Sequence, residues 1–371
     1  MQNTTRYVIL SVDYEIFGNG SGDVLQHVVQ PAASMARICH HHGAPLTIFF
    51  EAEEYHSFVE YRQPLTQAMG YDPAQRIAEQ VAALAAQGHD FQLHLHPEWV
   101  GARFEQGRWL LFRDHRTVDD LFESQQETTH YMAARKRLLE DLMAAGGVHR
   151  PVTTYRAGAF SAQPGVKLLA ALAANGFVID SSIVKGLHGG PANLDYRQAP
   201  SAKGPWRVKD EVSREDFGGR VWEFPICSIM GRRLEQLTWS RLRAKFSKNV
   251  PKSRQMEMVS QLGINKRNPF AFLRFLWQPV PVKFDFHNVS PAKLLRWIKA
   301  APAPGAGIPD VVVLIGHTKE HINDAAFTNL LQGLASDASL KVVGFEDVAK
   351  MVAALSASAP ICLDPTGQVL A

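Results

Sequence analysis

Cysteine is scarce: Cys39, Cys227 and Cys362 are the only three in 371 residues, too scattered and odd in number for a disulfide framework. No apolar run approaches the roughly 18 residues that a membrane-spanning helix requires. Charge of one sign is also lacking. The 39 Lys and Arg face 36 Asp and Glu, and an excess of +3 is too small for wholesale nucleic-acid binding. With 46% hydrophobic and 20% charged residues, the composition excludes collagen-like and disordered chains. Internal repeats and low-complexity tracts are missing as well. The opening MQNTTRYVILSVDYE has one Arg, a short apolar run that leads straight into acidic residues, and no small-residue cleavage site; a cytoplasmic protein is therefore expected.

What is present is an alternation. Runs rich in Val, Ile, Phe and Thr fall at 6–12, 46–50, 90–95, 152–156, 177–180, 221–227, 282–286, 311–316 and 340–344, and each predicts a strand. Helical patterns between them are plainest at 74–87, 122–145 and 164–175, which stop at Gly88, Gly146 and Gly176. Strands alternating with helices make an α/β chain with a parallel sheet, and a barrel of about 250 residues plus insertions suits the length. A single domain over 1–356 is expected, with insertions at 97–121 and 230–280 and a loose tail at 357–371. The first insertion, carrying Trp99 and Trp109, shows no periodicity and predicts a long loop.

Ionisable residues gather at the carboxyl ends of these predicted strands, where a barrel places its active site. Asp13 and Glu15 end the first strand, Glu51 the second, His94 and His96 the third, Arg156 the fourth, Asp180 the fifth and His317 the eighth. In extended backbone, positions i and i+2 share a face, so Asp13 should align with Glu15, and His94 with His96. Carboxylates and imidazoles at one rim suit a divalent metal, with Zn²⁺ the first choice. Such an ion polarises carbonyls and activates water, the equipment of amide or ester hydrolysis.

At these residues the sequence resembles the NodB-homology polysaccharide deacetylase superfamily, carbohydrate esterase family 4, over about residues 6–355. SVDYE at 11–15 is similar to the motif TFDDG, GHDFQLHLH at 88–96 to GHEIGSHTxxH, YRAGAF at 155–160 to RxPxG, DSS at 180–182 to the fourth motif, and LIGH at 314–317 to LxLH. The resemblance implies a distorted, incomplete (β/α) barrel. It implies Asp13 as catalytic base, Arg156 as the residue holding that base, His317 as general acid and His94 as the first metal-binding histidine.

Two positions depart from the pattern. Tyr14 stands where the family has a second Asp, and strand parity makes Glu15 the better ligand. Glu98 stands where the second histidine is due, whereas His96 shares the face of His94; His96 is favoured, with Glu98 as the alternative. The cytoplasmic start and these substitutions are similar to WbmS-like proteins associated with bacterial O-antigen and surface-polysaccharide synthesis. The implied reaction removes an N-acyl group, acetyl first, from an amino sugar, of which a nucleotide- or lipid-linked form is one candidate. Two alternatives stay open: a non-catalytic carbohydrate-binding protein on the same fold, and a hydrolase of a non-sugar amide.

Other residues carry weaker signals. Glu51, Glu98, Trp99 and Asp180 are the candidate substrate contacts, with packing, a solvated loop or structural hydrogen bonds as the competing roles. In HTKEH, Lys319 and His321 either touch substrate or start a helix. Residues 232–267 hold ten Lys or Arg against two Glu, followed by Phe270, Phe272, Phe275 and Trp277. That stretch reads as a solvated face, a phosphate grip or a peripheral membrane contact through 232–277.

Overall fold

The computed structural model describes residues 5–190, 192–236, 274–305 and 307–358. Its strands in chain order are β1 (Arg6–Tyr14), β2 (Thr47–Glu51), β3 (Asp90–Leu95), β4 (Arg103–Glu105), β5 (Arg108–Leu110), β6 (Thr154–Ala157), β7 (Ile179–Asp180) and β8 (His188–Gly189). They continue as β9 (Leu194–Asp195), β10 (Trp206–Val208), β11 (Val221–Glu223), β12 (Ser228–Arg232), β13 (Pro279–Lys283), β14 (Val311–His317) and β15 (Leu340–Val342). Nine of them form one sheet in the order β10-β11-β7-β6-β3-β2-β1-β14, with β15 also beside β1. Only the β10–β11 pair is antiparallel. The sheet curls until Ile226, just past β11, bridges Val313 of β14, and Asp285 bridges Ile315. Single bridges rather than a full ladder join these ends. The fold is mixed α/β with a curled half-barrel sheet, as expected of a distorted, incomplete barrel.

Crossover helices cover the sheet and begin where the chemistry of their caps dictates. Asp72 accepts the Gln75 amide at 3.0 Å and Pro73 opens the helix Pro73–Ala86, which gives way to Gly88 at φ 90°. Ser124 and Glu127 form a reciprocal capping box at the start of Gln125–Ala144. Further helices span Gln30–His41, Ala52–Glu60, Arg62–Met69, Val166–Ala174, Pro291–Ala300, Asp324–Ala335 and Phe345–Ser358. Among the described residues no helix is long and apolar enough to cross a membrane.

The strands carry two rows of side chains with different jobs. On the outer row, Val8, Leu10 and Val12 of β1, Ile48 and Phe50 of β2 and Val312 and Leu314 of β14 pack under the helices. On the inner row, Ile9, Phe49, Val313 and Ile315 meet Phe224, Ile226 and Phe345 inside the curl. Because parity alternates along a strand, the inner row of β1 continues from Ile9 to Ser11 and Asp13, and that of β14 from Ile315 to His317. An apolar plug at the amino ends thus turns polar at the carboxyl ends.

Three expectations need correction. The predicted strand at 282–286 is divided: its start belongs to β13, which pairs antiparallel with β12 in a separate ribbon, while Phe284 to Phe286 meet Ile315 of β14 through a single parallel bridge, because the 221–227 run ends its sheet pairing at Glu223 and turns away after the Ile226 bridge. Strand β10 was not foreseen. The segment 97–121 is not a structureless loop. Residues Pro97–Trp99 form a 3₁₀ turn, and β4 and β5 form a hairpin closed by Gln106 and Gly107, both at positive φ, as a tight two-residue turn requires. Most of the 230–280 insertion, 237–273, lies outside the described residues, as does the tail beyond 358; the phosphate-grip and membrane readings of 232–277 fall largely there.

The hairpin exists to bury its aromatics. Trp99 is 3% exposed and Trp109 7%, with ring centroids 5.0 Å apart. Phe58 packs edge-on to Trp99 at 5.9 Å, while Phe104, tilted, and Tyr61, edge-on, pack against Trp109 at 5.2 and 5.5 Å. Trp99 is therefore core and cannot stack on a sugar, which corrects its assignment as a substrate contact. Trp99→Ala should cost about 3–5 kcal/mol, the range for emptying a large aromatic site. A drop in the urea midpoint checks this, and an unchanged midpoint would return Trp99 to the surface.

Candidate active site

The polar ends of the inner rows meet at one rim. The central contact is between Arg156, at the end of β6, and Asp13 of β1: Nη1 lies 2.6 Å from Oδ1, and both side chains are buried. Arg156 spends its other donors on the protein: Nη2 on Ser11 Oγ at 2.9 Å and Nε on the Ser181 carbonyl at 3.1 Å. Its guanidinium carbon also lies over the Phe49 ring, 3.8 Å from the centroid. Burial pushes the Asp13 carboxyl up, but Arg156 first, then His94 and His317, outweigh it and leave the group below its ordinary range. His317 extends Nε2 to within 3.5 Å of the second Asp13 oxygen, while its Nδ1 faces Glu320 at 3.6 Å.

Glu15, one residue beyond β1, stands at the junction of two clusters. Glu15, His94 and His96 can bring one ligand atom each within 4.8 Å of one another, and so can Asp13, Glu15 and His317. Glu15 Oε2 is 2.8 Å from His96 Nε2 and 3.8 Å from His94 Nε2. Parity explains the grouping, since Tyr14 and Leu95 point the other way: Tyr14 stacks near Phe50 and donates to Gln80 Oε1 at 2.7 Å, and Leu95 is core. Burial raises the Glu15 carboxyl, yet Lys319 and His96 more than compensate and hold it well below the usual carboxylate range. The same contact, aided by Glu98, keeps His96 well above an ordinary histidine despite its burial.

The donor set fits a divalent cation on a structural criterion. His94 Nδ1 lies 2.9 Å from the Arg156 carbonyl, an acceptor, so Nδ1 carries the proton. The lone pair is then on Nε2, which is buried, has no hydrogen-bond partner among the described residues, and points toward Glu15. A histidine fixed by a backbone carbonyl with its other nitrogen bare is the arrangement that metal-binding imidazoles adopt. Glu98 sits on the far nitrogen of His96, 3.5 Å from Nδ1, where it orients the ring rather than replacing it.

Several supporting residues were given other roles by the sequence. Glu51 is buried and caps the helix Ala52–Glu60 by accepting the Glu54 amide; its Oε1 accepts the His96 amide at 2.7 Å. It is a backbone anchor, not a substrate contact. Glu54 anchors the other ligand-bearing segment by accepting the Ile16 amide at 3.1 Å. Burial pushes Glu51 up to about 8 and Glu54 well above its usual value, so this adjacent pair retains a proton near neutrality. Asp180 is likewise fully buried: it accepts from Ser182, is the register partner of Glu223 on β11, and rises to about 6 through burial. It belongs to the layer behind Arg156 and cannot reach a substrate.

Two site features carried little or no signal in sequence. Gly158 follows Arg156 by two residues, and a Cβ there would fall 2.5–2.7 Å from atoms of the His96 ring, so only glycine leaves room for that imidazole. The second is Lys319, in the 3₁₀ turn Thr318–Glu320, whose ammonium reaches Glu15 Oε1 at 2.7 Å and the Ile16 carbonyl at 2.9 Å. Its helix-start position was legible, but its partner was not. His321 turns away to Asp324, with Nε2 2.6 Å from Oδ1.

No protein-family profile and no curated protein matches the chain's sequence. Among solved structures it is similar to a polysaccharide deacetylase from Mycobacterium smegmatis, at 16% identity and TM-score 0.47, with 96% of this chain and 92% of that one covered. A polysaccharide deacetylase from Pseudomonas aeruginosa PAO1 gives 13% identity and TM-score 0.45, covering 97% and 94%. An allantoinase gives 12% identity and TM-score 0.44, covering 97% and 93%. At TM-scores below 0.5, the chemistry of this chain rests on its own side chains.

Arg156→Met would leave Asp13 buried without its counter-charge, a loss of about 3–5 kcal/mol. The double variant Asp13→Asn/Arg156→Met, which removes both charges, should lose less, and urea denaturation at neutral pH measures both. The sign with pH follows from the depressed Asp13: its contribution is complete above the unfolded carboxyl value of about 3.9 and is lost as pH falls through the folded one. Equal losses in the single and double variants would show that the pair is not a unit.

Proposed function

We propose that the protein is a metal-dependent hydrolase that removes an N-acyl group, acetyl first, from an amino sugar. The observation that carries this is Asp13, held ionised by Arg156 between a buried Glu15–His94–His96 donor set and the imidazole of His317. Amide hydrolysis needs a base for water, charge stabilisation at the carbonyl oxygen and a proton for the leaving nitrogen. The three requirements correspond to three groups at one rim.

Asp13 takes a proton from the attacking water, whose oxygen bonds to the acyl carbon. Arg156 prevents Asp13 from resting in the protonated form in which it could not act. His317, steadied by Glu320, gives a proton to the nitrogen as the C–N bond breaks, so that a neutral amine departs with acetate as the other product. Glu15, His94 and His96 would hold the divalent cation, with Zn²⁺ the best match to one carboxylate and two imidazoles. When bound, that ion supplies Lewis-acid polarisation of the acyl carbonyl and a lowered pKa for water. The likeness of SVDYE, YRAGAF and LIGH to carbohydrate esterase motifs supports a sugar substrate, and the WbmS-like features support a nucleotide- or lipid-linked precursor of bacterial O-antigen or surface polysaccharide.

Acetate release from N-acetylated nucleotide- and lipid-linked amino sugars, with and without Zn²⁺, tests the proposal. Asp13→Asn and His317→Ala should each lower turnover by about 10²–10⁴, the usual contribution of a positioned acid or base, with the far-ultraviolet circular dichroism unchanged. Near-normal turnover by either variant would end the assignment.

A further inference from the structure

Among the described residues, Lys319 is the one cation in contact with the candidate ligands whose place the proposed hydrolysis does not require. Its side chain is 8% exposed, and Nζ lies 2.7 Å from Glu15 Oε1 and 2.9 Å from the Ile16 carbonyl. The fold puts it there. Asp13 and His317 are register partners on β1 and β14, and the 3₁₀ turn after β14 brings Lys319 over the end of β1. Thr318 fastens the turn by donating to the Asp13 carbonyl at 3.4 Å.

The two oxygens of Glu15 are thereby divided. Oε1 is taken by the ammonium, and Oε2 alone faces His96 at 2.8 Å and His94 at 3.8 Å. Asp13 and Glu15 each have a fixed cation, Arg156 for Asp13 and Lys319 for Glu15. A divalent ion entering between the imidazoles meets a donor set whose formal negative charge is already balanced. A ligand so neutralised gives up less electron density, leaving the ion weakly held and strongly Lewis-acidic.

Resting on the metal-dependent reading above, we propose that Lys319 is a positioning residue of the metal centre: it confines Glu15 to one-oxygen ligation and trades metal affinity for Lewis acidity. With two of its three N–H groups committed to Glu15 and the Ile16 carbonyl, the ammonium is not a free grip for a substrate phosphate or carboxylate. A helix-start role alone would not require contact with Glu15.

Cobalt(II) tests this without reference to turnover, through titration against a chromophoric chelator and the visible absorption of the bound ion. Wild-type protein should bind one equivalent with an intense, low-coordination spectrum. Lys319→Met should bind about 10-fold more tightly or better, in the range by which outer partners tune metal sites, and its absorption should weaken as Oε1 becomes a second donor. Lys319→Gln, uncharged but still able to donate to Oε1, should gain affinity while keeping the wild-type spectrum; it also decides the matter if the Met variant fails to fold. Unchanged or weaker binding in the folded variants would overturn the role of Lys319 while leaving the metal centre standing. Failure of the wild-type protein to take up cobalt or zinc would instead overturn the metal-dependent reading, and this proposal with it.

Discussion

The ion pair between Arg156 and Asp13 is the constraint around which the rim is organised. Two opposite charges with almost no solvent contact are tolerable only when their remaining hydrogen bonds are made, and Arg156 makes them to Ser11 and Ser181 while resting on Phe49. Those contacts tie β1, β2 and β6 to the segment after β7, so the guanidinium acts as a strut across the inside of the curl. The strut also sets the electrostatics: it keeps a buried carboxylate charged where water alone could not. Its own backbone carbonyl fixes the tautomer of His94. One residue therefore holds the candidate base and orients a candidate ligand.

Around that strut, buried acids fall into two groups with opposite tasks. Asp13 and Glu15 face cations and stay ionised. Glu51, Glu54, Asp180 and Glu223 are pushed upward by burial; Glu51, Glu54 and Glu223 accept the backbone amides of His96, Ile16 and Ile183, and Asp180 accepts the Ser182 hydroxyl. The division follows the supply of fixed positive charge, since Arg156 and Lys319 reach the first group directly. It also explains how so many carboxyl groups can sit near one rim without mutual repulsion dominating: part of them hold protons.

Much of this was legible from residue order. Continuous apolar runs marked the strands buried on both faces, and the parity of Asp13 with Glu15 and of His94 with His96 announced a common direction. Where the structure departs from expectation, the cause is a contact remote in sequence. Trp99 and Trp109 look the same whether they stack on a sugar or on each other, and only the β4–β5 hairpin folding back on Phe58 and Tyr61 decides between these. Glu51 at a strand end is indistinguishable from a substrate contact until the His96 and Glu54 amides are seen on its oxygens. The 282–286 run reads as a barrel strand but is divided: its start pairs with β12, and only Phe284 to Phe286 meet Ile315 of β14, a choice governed by where the chain leaves β11.

The sequence by itself determined the strand and helix alternation, the face on which each ionisable residue would lie, and the strand ends at which they would gather. These follow from periods of two and 3.6 residues, which are local properties of the backbone. Tertiary structure alone decided which groups share a charge: that Lys319 spends its ammonium on Glu15, that Glu98 serves His96, and that Asp180 stands behind Arg156 rather than before it. Pairing of charges depends on distances of a few ångströms between segments hundreds of residues apart, and no local pattern carries that information.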